Sequence, residues 1–232
     1  LTALPALELH GLLMVCPTPG RLLTQDAGLG GLVEELAAYE LSSFHHYASR
    51  DLTRKMNWKL LVDTFLESYH FCVLHRNSIC SIFYHNLATF DAYGEHLRLV
   101  SPRKTIETLP AQAEPDWRVL PHVVVIYILF PNTVLVWQGE QVELWQIYPG
   151  TTPDESRIRL SLYSPEPAVS DSARRHWDNN LNLVLDVVEN EDFPVGEGIQ
   201  QGFTSQAQTH TVFGRNEPGL SHFHRTVTAA LR

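Results

Sequence analysis

Residues 119–137, VLPHVVVIYILFPNTVLVW, constrain the fold more than any other stretch of this chain. The run is too apolar for a surface, yet His122, Pro131 and Asn132 interrupt it and β-branched residues dominate it. A membrane-spanning helix needs roughly 20 consecutive apolar residues. Pro-Asn between two apolar runs marks a turn, so the pattern predicts a buried hairpin and not a transmembrane helix. Similar stretches stand near 95–101, 141–148 and 156–163. With 121–130 and 133–138 they predict an antiparallel meander.

Helical patterns flank this region. A short helix is expected at 31–39, a longer one at 57–70, a third over about 171–191 with Ser170 or Asp171 as N-cap, and a fourth at 216–231. Residues 9–15 and 43–56 read as strands, and 77–92 fits neither pattern. No internal repeat or linker divides the chain. The expectation is one α+β domain, residues 1–232, with long helices packed on a curved antiparallel sheet.

Composition narrows the function. A hydrophobic fraction of 44% with 19% charged residues describes a globular chain. The formal net charge of −9 argues against nucleic acid as a partner. No signal peptide opens the chain, and a cytoplasmic protein without a membrane partner is expected. Cys16, Cys72 and Cys80 are odd in number and form no Cys-x-x-Cys. A disulfide framework is therefore not expected, and Cys72 reads as an inert buried thiol.

The helix expected at 57–70 carries two lines of residues. Trp58, Leu61, Val62, Phe65, Leu66 and Tyr69 form one apolar face. Lys59, Asp63, Glu67 and His70 form the other, which reads as a solvated face or as the start of a site. His75 favours a site, because it follows the apolar run FCVL. Five residues turn an ideal helix by about 140°, so His70 and His75 meet only if the helix ends near residue 71 and the chain turns back. Two imidazoles held that way are half of a metal site, with Glu67 one turn before His70, where it can orient the ring. In the third helix, Trp177, Leu181, Val184, Leu185 and Val188 share a stripe on which Asp192 is the next member. A carboxylate facing a core costs several kcal/mol unless it is paired or bound to a metal. Pro194 offers the alternative of an ordinary helix end that turns Asp192 outward. Two histidines and one carboxylate make the facial triad of non-haem iron(II).

The stretch NWKLLVDTFLESYHFCVLH, 57–75, resembles the iron motif in the catalytic domain of Rieske-type non-haem iron oxygenases, the aromatic-ring-hydroxylating oxygenase α subunits. In that family Asn-Trp-Lys precedes an acidic residue, a carboxylate stands one turn before the first histidine, and a second histidine follows. A later acidic pair in a helix, then Gln and Gly, supplies the third ligand; ENEDFPVGEGIQQG, 189–202, is similar, as is HGLLMV near the start. By this resemblance His70, His75 and Asp192 are the iron ligands, with Glu191 the rival of Asp192. Glu67 takes the place of the carboxylate that bridges a cluster histidine and the first iron histidine. Asp is commoner there; Glu looks like the carnitine-monooxygenase branch and points to a quaternary amine or similar substrate.

The resemblance implies a helix-grip (Bet v 1/START-like) fold with a cavity between helix and sheet. It implies a mononuclear Fe(II) that activates O2 to hydroxylate or demethylate a small organic substrate. It also implies electrons from a reductase or ferredoxin, and a homotrimer. The family's Rieske [2Fe–2S] cluster sits on Cys-x-His and Cys-x-x-His pairs, which none of the three cysteines matches. The cluster domain is therefore expected to be missing from this chain, and no turnover is expected from this chain alone. Cavity walls are expected from 77–92 and 121–148, with Phe83, Tyr127, Phe130, Trp137 and Trp145 as contacts or plain core.

A competing reading is a non-catalytic carrier of hydrophobic ligands on the same scaffold. A metal-dependent hydrolase is excluded by the lack of an HExxH motif. HFH, 222–224, reads as surface or the start of a helix.

Overall fold

The all-apolar strand Val123–Leu129 shows why the sheet sits in the middle of the molecule. Its side chains alternate between two faces, and all seven are buried. Val124, Ile126 and Ile128 enter one core, whereas Val123, Val125, Tyr127 and Leu129 enter another. Both faces of the sheet are therefore covered, which explains an uninterrupted apolar run in an antiparallel strand.

The computed structural model describes residues 1–208 and 210–232. Strands β1 (Ala6–Leu9) and β2 (Leu12–Val15) form a hairpin. Strands β3 (His45–Arg54), β4 (Thr89–Tyr93), β5 (His96–Pro102), β6 (Val123–Leu129), β7 (Thr133–Trp137), β8 (Val142–Pro149) and β9 (Ser156–Ser164) form one antiparallel sheet in the order β3-β9-β8-β7-β6-β5-β4. The meander expected from the turn signals runs from β4 to β9, and β3 closes the far edge against β9. Helices α1 (Leu32–Ala37), α2 (Trp58–Asp63), α3 (Asp171–Val187), α4 (Phe193–Thr204) and α5 (Pro218–Ala230) complete the α+β fold. The hairpin and α1 cover one face; α2, α3 and α5 contribute to the core on the other. Among the described residues, no helix is long and apolar enough to cross a membrane.

Four expectations are corrected. Residues 9–15 are a turn and a strand, because His10 (φ 52°) and Gly11 (φ 89°) reverse the chain. A side chain at position 11 would strike Ser42 N at 2.5 Å, so glycine is required there. The helix expected over 57–70 stops at Asp63, and tighter bonds follow from Phe65 N to Val62 O and from Leu66 N to Asp63 O. Packing overrides the helical period here: α5 comes so near that a Cβ on Gly219 would lie 3.1 Å from Leu66 O. Tyr69, expected on the apolar face, is 46% exposed as a result.

The third helix does not end near Pro194. It opens into one wide π-turn, Val188–Asp192, and continues as α4. Pro194 has no N–H to give to the preceding turn, and it stands directly after the wide turn, where the regular bonding ladder is already interrupted. Finally, Cys72 and Cys80 are disulfide-bonded, with their Cα atoms 4.8 Å apart. The short turns between them bring them together, and their spacing in the sequence carried no sign of it. Cys16 is buried and free.

Candidate metal centre

The Asn-Trp-Lys triplet acts first as an anchor. Asn57 caps α2, its Oδ1 accepting the Lys59 N–H at 3.0 Å, and its Nδ2 donates to Pro153 O at 2.6 Å. Its backbone N–H donates to Gln200 Oε1 at 3.0 Å. Gln200 belongs to the second quoted motif, so the two motifs are joined directly. Gly196 of that motif lets α4 close on Met56, whose Sδ would lie 2.5 Å from a Cβ there.

Beyond α2, Tyr69–Cys72 makes a separate short helical turn, and the chain then bends back through Leu74 N–H to His70 O at 2.8 Å. This reversal brings the two rings together, with centroids 4.9 Å apart. The helix therefore ends earlier than the sequence reading required, but the convergence it called for is present. On the opposite side the π-turn aims Asp192 inward, and Asp192 is only 8% exposed. Its Oδ1 lies 3.2 Å from His75 Nε2 and 3.7 Å from His70 Nε2. The three donor atoms all lie within 4.8 Å of one another.

Each imidazole has a glutamate at its other nitrogen. Glu67 accepts the His70 backbone N–H at 3.2 Å and sets Oε1 against the ring's Nδ1, without hydrogen-bond alignment. Glu191, the rival ligand in the sequence, is turned to His75 Nδ1 at 2.5 Å and also accepts from Ser78 Oγ at 2.7 Å. Burial lowers the proton affinity of His75, but the carboxylates of Asp192 and Glu191 outweigh it and raise its pKa. Burial pushes Glu191 up, and hydrogen bonds from His75 and Ser78 more than reverse this.

The donor set fits a divalent first-row metal. Two donors about 2.1 Å from one ion and at right angles lie about 3 Å apart, near the separations seen at Asp192. Two imidazoles and a carboxylate suit ferrous iron and leave positions open. His70, His75 and Asp192 line a cavity of about 590 Å³, walled also by Phe65, Phe71, Phe83, Trp145, Trp177 and Val184. Of the aromatic residues singled out in the sequence, Phe83 and Trp145 line it. Tyr127 and Trp137 belong to the core on the other face, and Phe130 packs on Phe223.

Sequence reasoning missed Glu191 as the partner of His75, and it missed Arg103 and Glu143 on the cavity wall. Glu143 shares the inward face of β8 with Trp145 and Ile147, both in the core; that alternation was its only signal. Asp63, assigned to a polar line, is paired with His224 of HFH at 2.9 Å.

Comparison with known proteins places the chain in a family. A family model described as ring hydroxylating alpha subunit (catalytic domain) matches residues 41–232. The chain belongs to that family. No curated protein matches the sequence. Among solved structures, the quaternary ammonium Rieske monooxygenase CntA in complex with L-carnitine matches with TM-score 0.76 at 14% identity, over 98% of this chain and 60% of that one. Dicamba monooxygenase bound to dicamba gives TM-score 0.58 at 11% identity, over 99% of this chain and 71% of that one. NdmB of Pseudomonas putida CBB5 gives 0.55 at 14%, over 82% and 52%. At these identities the likeness is one of fold. The chain spans about three fifths of the length of the CntA chains it matches.

Proposed function

We propose that His70, His75 and Asp192 hold a mononuclear Fe(II), and that this chain is the oxygen-activating part of a Rieske-type oxygenase acting on a small organic substrate. The observation that carries this reading is the meeting of two imidazole Nε2 atoms and one buried carboxylate oxygen at the end of a largely apolar cavity. The ion, when bound, supplies redox chemistry toward dioxygen.

The chain's own residues do the rest. Glu191 and Glu67 fix the two rings from behind, so that each Nε2 faces the ion. The aromatic walls keep water from the reacting centre and hold the substrate beside it. Glu67 and His70 also line a second cavity of about 510 Å³, outside the first, with Tyr69 and Leu74. In our reading Glu67 would link His70 to a [2Fe–2S] cluster held by another domain of a neighbouring subunit in a trimer, and that cluster would supply electrons drawn from a reductase or ferredoxin.

The fold is read as a helix-grip, with α3 laid along the sheet and the cavity between them. The proposed location is the cytoplasm, where the reductase's electron donor is made; there the Cys72–Cys80 bond would be held reduced. Glu67, and the carnitine named for the CntA complex, favour monooxygenation over dioxygenation.

Metal analysis tests the proposal. Anaerobic reconstitution should give about one iron per chain, lost in His70→Ala and His75→Ala. Protein that takes up no iron under these conditions overturns it.

A further inference from the structure

The cavity that His70, His75 and Asp192 line also holds a guanidinium that the iron reading does not use. Arg103 lines the cavity and is half-buried. Its Nη2 donates to Gln138 O at 3.0 Å and to Gln138 Oε1 at 2.7 Å. Its Nε is buried and has no hydrogen-bond partner. A buried donor left unmade costs free energy, more so on a charged group. The guanidinium lies over the Phe83 ring, 4.9 Å from its centroid, which fixes its plane.

Glu143 is the nearest candidate to neutralise this charge, but its oxygens are taken by other donors. Gln141 Nε2 donates to Oε1 at 3.2 Å and Trp145 Nε1 to Oε2 at 3.1 Å. Glu143 is 2% exposed, and burial pushes its carboxyl pKa up. Among the described residues, no carboxylate forms an ion pair with Arg103, although Glu143 acts on it at longer range.

A chain of ring contacts links Arg103 to His70. Phe83 lies under Arg103, Phe71 is 5.5 Å from Phe83, and His70 is 5.1 Å from Phe71. A molecule bound to Arg103 and lying along these rings reaches the imidazole pair with its far end. We propose that Arg103 anchors the carboxylate of an organic acid, so that the substrate class is a small carboxylate with an apolar body whose far carbon faces His70, His75 and Asp192. A charge-assisted hydrogen bond from the guanidinium to the carboxylate supplies both affinity and orientation.

The inference rests on the oxygenase reading for its purpose, but the anion site does not need iron, and the experiment uses that. Benzoate and butyrate, with benzamide and butyramide as neutral isosteres, are titrated calorimetrically into iron-loaded and chelator-treated protein. At least one acid should bind at least tenfold more tightly than its amide in both forms. Arg103→Gln should weaken that acid at least tenfold and leave the amide within about twofold. Arg103→Lys, which keeps the charge but loses the fork, should fall between them and guards against a misfolded glutamine variant. If neither acid exceeds its amide in the wild type, or if Arg103→Gln binds the acid as well as the wild type does, the proposal is overturned. Acid binding that persists in protein unable to hold iron leaves this site standing and removes the oxygenase reading alone.

Discussion

Glu191 Oε2 lies 2.5 Å from His75 Nδ1, while its chain neighbour Asp192 faces Nε2 of the same ring at 3.2 Å. Adjacent residues of a regular helix point about 100° apart. Here the π-turn lets one acid sit behind the ring and the other in front of it. In the proposed site Glu191 fixes the ring's orientation and its proton, and Asp192 is the ligand.

Glu191→Gln should therefore weaken iron binding by about 10–100-fold without changing the ligand set. Competition with a chelator of known affinity measures this. Asp192→Ala should abolish binding. Equal losses in the two variants would mean that the roles have been misassigned.

Glu67→Gln should keep close to one iron per chain, because the ligand atoms remain. In the intact protein, supplied with reductase, its turnover should fall at least about tenfold, the scale of losses for residues that support a metal site. Iron content and product formation are read on the same sample. Turnover equal to wild type removes Glu67 from the electron path.

On the opposite face, burial would raise the Glu35 carboxyl, but hydrogen bonds from Tyr127, at 2.6 Å, and from Arg98 outweigh it and hold its pKa below 4.5. A carboxyl whose pKa is lowered by folding contributes stability in full above its unfolded pKa and loses it as pH falls through the folded value. Urea midpoints should drop as pH is lowered from about 4.5, and Glu35→Gln should flatten this part of the profile. An unchanged profile in the variant shows that other carboxyls carry the acid sensitivity.

His224→Ala removes the partner of Asp63, whose carboxyl burial pushes up despite the pairing. The cost should be about 1.5–3 kcal/mol in urea unfolding, the range for hydrogen bonds to charged groups. Asp63→Asn with His224→Ala should recover part of it, because no buried carboxylate is left alone. A single variant as stable as wild type contradicts the pairing.

The meander was legible because turn signals and β-branched runs mark strands locally, as at Pro131-Asn132. The stripe of Trp177, Leu181, Val184 and Val188 was legible from its helical spacing, and Trp177, Val184 and Val188 do line the cavity. Helix ends were harder to read. Nothing between 57 and 70 announces that Leu66 must fit beneath Gly219, since that demand comes from a residue far along the chain. The π-turn was also hidden, because Pro194 reads as a stop and only the packed structure shows a continuing helix. Strand β4 and the pairing of Cys72 with Cys80 arose in or beside 77–92, the stretch without a clear pattern.

The hydrogen bond from Asn57 to Gln200 lies outside the substrate cavity, yet it couples the segments that present the histidines and the aspartate. The proposed metal end is thus tied from behind, by residues that are not part of that cavity's wall. Wall positions such as Val184 and Ile126 take no part in that hydrogen bond. A scaffold divided in this way can change what it accepts while keeping its reactive end intact.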